Sequence, residues 1–235
     1  MSIKAVLFDL DGTLLPMDLQ VYLKEYFVRL VTKMVQNGYD AESMKEGLYA
    51  GMHAMAACDG SCTVQQALIN YRIETFGDKL AEIEGLFDEY YRVEFQEVRK
   101  TCGFNPKAAE TVRKVKDMGY RVILATNPMY PRNGTESRIK WAGLLPEDFE
   151  HYTTYEDYHH CKPNTKYYEE VLEKMGLQAE ECLMVGNDVE EDMVAEKIGM
   201  KVFLMTANLI NKYDKDISGY PQGDFDDLMA YIDTL

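Results

Sequence analysis

One short apolar stretch, Ile3 to Phe8, stands alone at the head of the chain, and the residues beyond it read as helix after helix until about Cys102. A run this apolar suits a strand buried on both faces of a parallel sheet. Such a strand needs partners, and the helical stretch holds none. They come after Gly103, where the pattern turns to strand, helix, strand, helix, the order of a doubly wound parallel sheet. The sheet must therefore be assembled from both ends of the sequence, with a helical segment inserted soon after its first strand. The expected fold class is α/β, a Rossmann-like parallel sheet with an inserted all-helical domain. Residues 1–16 and 103–235 would form the core and residues 17–102 the helical domain.

Local signals place the elements. VYLKEYFVRLVTKMV repeats apolar residues every three or four positions and stops at Asn37-Gly38. Asp40 is placed to cap a second helix carrying Met44, Leu48, Met52 and Met55. Thr63 and Gln66 are spaced as a capping box for a third. Asp78 is placed to cap a fourth that runs through Phe87 and Tyr91 to Val98. GMHAMAACDGSC reads as a connection between two of these helices and as a candidate specificity loop. Further on, Asn105-Pro106 opens a helix that Gly119 ends. RVILAT, the strand-like HYTTY, CLMVG and KVFLM are then separated by helices near Glu136 to Trp141, over KYYEEVLEKMG and over EEDMVAEKIG. DFDDLMAYIDTL reads as a capped final helix.

Composition narrows the function. A formal net charge of −15 argues against nucleic acid, whose phosphates call for a basic surface. It leaves room for a small phosphorylated substrate, because one local cation can reverse the field inside a pocket. No apolar run approaches the roughly 20 residues of a membrane-spanning helix, and the N-terminal run is too short for a signal peptide. The five cysteines, Cys58, Cys62, Cys102, Cys161 and Cys182, are odd in number and irregular in spacing. Free thiols in a cytoplasmic protein are the expectation. His159 and His160 read as solvent-facing loop residues, and Tyr22, Tyr26, Phe27, Tyr90 and Tyr91 as packing.

Open α/β sheets bind ligands beyond the carboxyl ends of their strands. Unusual polar residues gather at those positions here. Asp9 and Asp11 follow the first strand, Thr126 and Asn127 follow RVILA, and Asn187, Asp188 and Asp192 follow CLMVG. Lys162 lies in the loop HHCKPN. Taken singly these are turn aspartates, helix caps and a solvated lysine. Together they suit one chemistry. Crowded carboxylates are tolerable around a divalent cation, and an all-oxygen set suits Mg2+, which keeps room for a substrate phosphate. One aspartate beside such an ion can attack phosphorus, while a second moves protons. The lysine and threonine can hold phosphoryl oxygens.

At this point the sequence resembles the haloacid dehalogenase-like hydrolases. The resemblance rests on Asp9-Leu10-Asp11-Gly12-Thr13, on Thr126 ending a strand with Asn127 beside it, on Lys162-Pro163, and on the acidic pair Asp188 and Asp192 in GNDVEED. Asn187 stands between the glycine and the first aspartate of that pair. By resemblance, Asp9 would be the nucleophile and a metal ligand, and Asp11 the general acid/base, ligating the metal through its backbone carbonyl. Thr126, Asn127 and Lys162 would bind the phosphoryl group. Asp188 would ligate Mg2+ directly, with Asp192 acting behind it or through the lysine. An aspartate at position 11 points, within that family, to phosphate esters rather than to dehalogenation. The helical insert resembles the cap found in one branch of the family.

The expectation is a Mg-dependent phosphatase of a small phosphorylated metabolite that works through an aspartyl-phosphate. A phosphomutase of the same family is the alternative. A receiver-like phosphoacceptor module is a third reading, which the large insert after the first strand disfavours.

Overall fold

A computed structural model describes residues 2–235, so residue 1 of the expected core segment lies outside it. Six strands form one parallel sheet in the order β3-β2-β1-β4-β5-β6. They are β1 (Ala5–Phe8), β2 (Arg121–Leu124), β3 (His151–Tyr152), β4 (Cys182–Gly186), β5 (Lys201–Met205) and β6 (Gln222–Gly223). The first strand is central, between β2 and β4. From β1 the chain builds outward to β3, then returns to the other side of β1 to build β4, β5 and β6. The crevice at this reversal of direction opens at the carboxyl ends of β1 and β4, where a ligand is expected to sit.

The strands alternate between two apolar layers, as a side-chain period of two requires. Val6 and Phe8 of β1 face one layer, together with Val122, Leu124, Leu183 and Val185. Ala5 and Leu7 face the other, together with Ile123, Cys182 and Met184. Burial on both faces explains why these strands read as unbroken apolar runs. Each fully buried leucine or phenylalanine contributes roughly 1.5–3 kcal/mol.

The helices flank this sheet and fill the interval between β1 and β2. That interval holds α1 (Leu19–Gln36), α2 (Ala41–Ala56), α3 (Val64–Phe76), α4 (Leu80–Arg92) and a 3₁₀ segment (Glu94–Thr101). After it come α5 (Pro106–Asp117), α6 (Arg132–Trp141), α7 (Thr165–Met175) and α8 (Phe225–Ile232). Side chains cap the starts as the sequence signals. Asp18 accepts from the amides of Gln20 and Val21, Asp40 from Ser43, Thr63 from Gln66, Asn105 from Lys107 and Asp224 from Asp226 and Asp227. The aromatic residues of α1 and α4 pack together, and Phe95 packs on Trp141 of α6 with ring centroids 4.9 Å apart. One apolar layer of the sheet thus runs on into the helical segment.

Several local expectations are corrected. Asp78 caps no helix. It lies in a 3₁₀ turn (Gly77–Lys79), and α4 begins at Leu80 without a side-chain cap. That helix ends at Arg92, and Val98 belongs to the 3₁₀ segment beyond it. Only half of the Thr63–Gln66 capping box forms, because the Gln66 amide group donates to Asn70 instead. EEDMVAEKIG makes a 3₁₀ helix (Met193–Ile198) and no α-helix, since Asp192 turns inward and Gly199, at φ +98, stops the chain at once. GMHAMA completes α2, so the true connection there is shorter than expected. His160 is largely covered rather than solvent-facing: its side chain is 14 % exposed and both ring nitrogens are buried. The strand β6 went unanticipated, being two residues at the sheet edge with no apolar pattern.

All five cysteines are free thiols. Among the described residues no helix is long and apolar enough to cross a membrane.

Candidate active site

Asp9 is the first residue beyond β1, and its amide donates to the Val185 carbonyl at 2.9 Å. The sheet itself therefore fixes where its side chain starts. The chain then folds back tightly, with the Gly12 amide on the Leu15 carbonyl and the Thr13 amide on that of Leu10. Gly12 takes φ +86, and a Cβ there would collide with the Asn187 amide. This close approach sets the Thr13 hydroxyl 3.2 Å from Asp9 Oδ2 and 3.0 Å from Asn187 Oδ1. The turn is tied from the far side as well, where Asn208 donates to the Gly12 carbonyl and Asn187 to that of Asn208.

Thr126 follows β2. Its carbonyl accepts from the hydroxyls of Thr153 at 2.5 Å and Tyr167 at 2.9 Å, which pins the backbone at the sheet edge. Asn127 bridges two loops, accepting from the Lys162 amide at 3.3 Å and donating to Glu191 at 3.1 Å.

Lys162 is fully buried, and its Nζ lies 3.0 Å from Asp9 Oδ1 and 2.6 Å from Asp192 Oδ1. The rings of Tyr167 and Tyr168 flank it, each with its centroid 5.9 Å from the ammonium. Burial alone would lower this ammonium, but Asp192 and then Asp9 outweigh it and hold Lys162 well above the ordinary lysine value. Burial pushes Asp192 up to about 7, against the pull of the same lysine. A carboxylate, a cation and a second carboxylate thus make one connected chain beneath the sheet edge. Gly186 makes room for it, since a Cβ there would overlap the Asp192 carboxyl. Asp192 Oδ2 also accepts from the Asp188 amide at 3.0 Å. Asp188 turns its loop by accepting from the amides of Glu190 and Glu191, both on Oδ1. Burial raises the neighbouring Glu191 to about 8.

Asp11 is held by a residue the sequence did not single out. Its carboxylate forms an ion pair with Arg138 of α6, which is wholly buried. Arg138 also reaches the Thr135 hydroxyl at 3.3 Å and lies over the Tyr130 ring at 3.9 Å. Burial raises Asp11 above the usual carboxylate range even though Arg138 draws it down. The available signal was the spacing of Thr135, Arg138 and Trp141, which puts the arginine on the buried face of its helix. Glu191 and Asn208 were also passed over, each being one polar residue among many in its loop.

A cavity of about 250 Å³ opens above these groups. Asp9, Asp11, Thr126, Asn127, Asn187, Asp188 and Asp192 all line it, and Lys162 reaches Asp9 from below. The structure therefore brings together all seven of the residues singled out at the strand ends. His159 lies apart, bonded to Glu170 at 2.8 Å.

A parallel sheet of this order, with polar side chains gathered at the carboxyl ends of its central strands, is the framework of an α/β ligand-binding fold. A family model for haloacid dehalogenase-like hydrolases matches residues 3–199, and the chain belongs to that family. A pyrophosphatase PpaX from Bacillus cereus (strain G9842) is 27% identical over 201 residues, covering 86% of this chain and 82% of the relative. Among solved structures, a 2-haloacid dehalogenase from Pseudomonas syringae pv. Tomato DC3000 superposes with a TM-score of 0.65 at 18% identity, over 99% of this chain and 98% of the other. A HAD phosphatase from Thermococcus onnurineus gives a TM-score of 0.61 at 21% identity, over 98% of both chains. At such identities the structural likeness speaks for the fold.

Proposed function

We propose that this chain is a Mg-dependent phosphatase that hydrolyses a small phosphorylated metabolite through an aspartyl-phosphate on Asp9. The observation that carries the reading is the contact of Lys162 Nζ with both Asp9 and Asp192 at the edge of the crevice. A buried cation against the attacking carboxylate is where the negative charge of an incoming phosphoryl group would need an answer.

The residues present fit a magnesium ion. Among the described residues no cluster of three or more His, Cys, Asp or Glu side chains forms a metal cage. The proposed set asks for less: carboxylate oxygens of Asp9 and Asp188 and the backbone carbonyl of Asp11, all hard oxygen donors. Asp188 spends only Oδ1 on the backbone, which leaves Oδ2 for a ligand. Bound there, the ion would neutralise charge on the phosphoryl oxygens.

Asp9 attacks phosphorus and carries it as an acyl phosphate. Asp11 gives a proton to the departing oxygen, then takes one from the water that cleaves the acyl phosphate. Thr126, Asn127 and Lys162 hold the phosphoryl oxygens. Residues 17–102 form a cap domain that covers the crevice and excludes bulk water during attack.

Phosphate release with Mg2+ and a substrate bearing a good leaving group tests the reading. Asp9→Asn should abolish turnover. Asp11→Asn should slow hydrolysis less for a good leaving group than for a poor one, because a good one needs little protonation. Equal damage to both would sink the role given to Asp11. Isomerised product without free phosphate would replace the phosphatase by a mutase.

A further inference from the structure

The cavity has two kinds of wall. Its floor is polar and, where charged, acidic: Asp9, Asp11, Asp188, Glu191 and Asp192. The walls above are apolar. Leu19, Leu23 and Tyr26 come from α1, Met52 and Met55 from α2, and Ile210 from the loop after β5. No lysine or arginine lines this space among the described residues.

The nearby cations are already engaged. Lys162 lies between Asp9 and Asp192, and Arg138 is paired with Asp11. A second cavity, lined mostly by the helical segment and closed by Met129, Pro131 and Tyr155, shares Tyr26, Met52, Met55 and Met129 with the first. Its guanidinium, Arg72, is bonded to Glu84 at 2.6 Å and lies over the Phe87 ring at 3.6 Å.

We infer that the substrate's leaving group is apolar and carries no second anionic group. This is a monophosphate ester of an alkyl or aryl alcohol, unlike pyrophosphate, a bisphosphate or a phosphorylated carboxylic acid. The inference rests on the phosphatase reading above and adds the substrate class to it. With its phosphoryl group on the floor, the ester places its organic part against Leu23, Met52 and Met55. A second anion in that position would lose its hydration and meet carboxylates with no free cation to answer it. A hydrocarbon chain loses nothing there, and unbranched methionines adapt to its shape. The shared wall lets the longer members of the series reach into the second cavity.

The test measures phosphate release by the protein with Mg2+ from ethyl, butyl and hexyl phosphate and from their ω-carboxylate counterparts. Leaving-group acidity is nearly constant along the alkyl series, so its trend reports burial. The expected result is a kcat/KM that rises about fourfold for each methylene buried, with each ω-carboxylate at least about tenfold below its alkyl match, the span of one unanswered charge. A flat alkyl series, or faster hydrolysis of pyrophosphate and the ω-carboxylates, overturns the inference while leaving the phosphatase reading in place. No phosphate from any substrate, p-nitrophenyl phosphate included, overturns both. Leu23→Arg and Met52→Lys each put a cation on the wall, and each should narrow the gap between ω-carboxylate and alkyl substrates. An unchanged gap in both folded variants would also count against it.

Discussion

Arg138 and Asp11 form an ion pair in which the arginine side chain is 0 % exposed and the aspartate 21 %. The pairing is one-armed. Asp11 Oδ1 and Arg138 Nε are both buried without a hydrogen-bond partner, so the fork is only half used. Arg138 is anchored elsewhere, by the Thr135 hydroxyl and the Tyr130 ring, so it can stay in place while the carboxylate turns. Asp11 lines the cavity and is tethered at its edge by a group that also packs on Tyr130 of the cavity wall.

Removing the arginine leaves a carboxylate poorly solvated and unpaired, which costs about 3–5 kcal/mol in comparable buried pairs. Arg138→Met should therefore lower the unfolding free energy by about that amount. Arg138→Met combined with Asp11→Asn should recover most of the loss, since the stranded charge is gone. Urea unfolding of the wild type, both single variants and the double variant gives the coupling directly. Additive effects would show that the pair is not coupled.

The convergence of the strand-end residues was legible because the carboxyl-end rule converts position in sequence into position in space. Asp9, Thr126 and Asp188 each follow a strand, and parallel register brings those ends to one edge. Arg138 was not legible in this way. Its bond to Asp11 spans 127 residues, and a helix face says that a side chain is buried without saying against what. The 3₁₀ helix at Met193–Ile198 was hidden for a similar reason. Its sequence has helical periodicity, but Asp192 is drawn inward by Lys162 and the Asp188 amide, an attraction no local window contains. The strand β6 lacks any pattern because two residues at a sheet edge need none.

Magnesium should stabilise the protein apart from any catalysis. A ligand that binds only the folded state adds about 2.7 kcal/mol at a hundredfold excess over its dissociation constant. Thermal unfolding with and without Mg2+ should show a rise in Tm for the wild type and little or none for Asp188→Asn. An equal rise in both would remove Asp188 from the ligand set.

Two glycines predict opposite outcomes for the same substitution. A methyl group on Gly186 would overlap the Asp192 carboxyl, held by Lys162 and the Asp188 amide. Gly186→Ala should destabilise by about 1–3 kcal/mol, as overpacking does, and should displace Asp192 with it. Gly85 lies exposed inside α4 with open space around it. Gly85→Ala should stabilise by about 0.5–1 kcal/mol through helix propensity alone. Chemical denaturation of the two variants side by side decides the matter, and a stabilising Gly186→Ala would contradict the close packing described.

His151 makes stability depend on pH in the mildly acidic range. Its ring bonds to the Tyr158 hydroxyl at 2.7 Å, and burial holds its pKa below the ordinary histidine value, with Lys174 and Arg132 adding to the effect against Asp157. The folded protein therefore takes up this proton less readily than the unfolded chain. The contribution is complete above the unfolded value of about 6.5 and is lost as pH falls from there toward the lowered folded value. One such proton steepens the fall in unfolding free energy by at most about 1.4 kcal/mol per pH unit. His151→Gln should flatten that fall below about pH 6.5 while leaving the curve above neutrality parallel to the wild type. Urea unfolding of both proteins across this range tests it, and identical slopes would show that the ring titrates alike in the folded and unfolded chain.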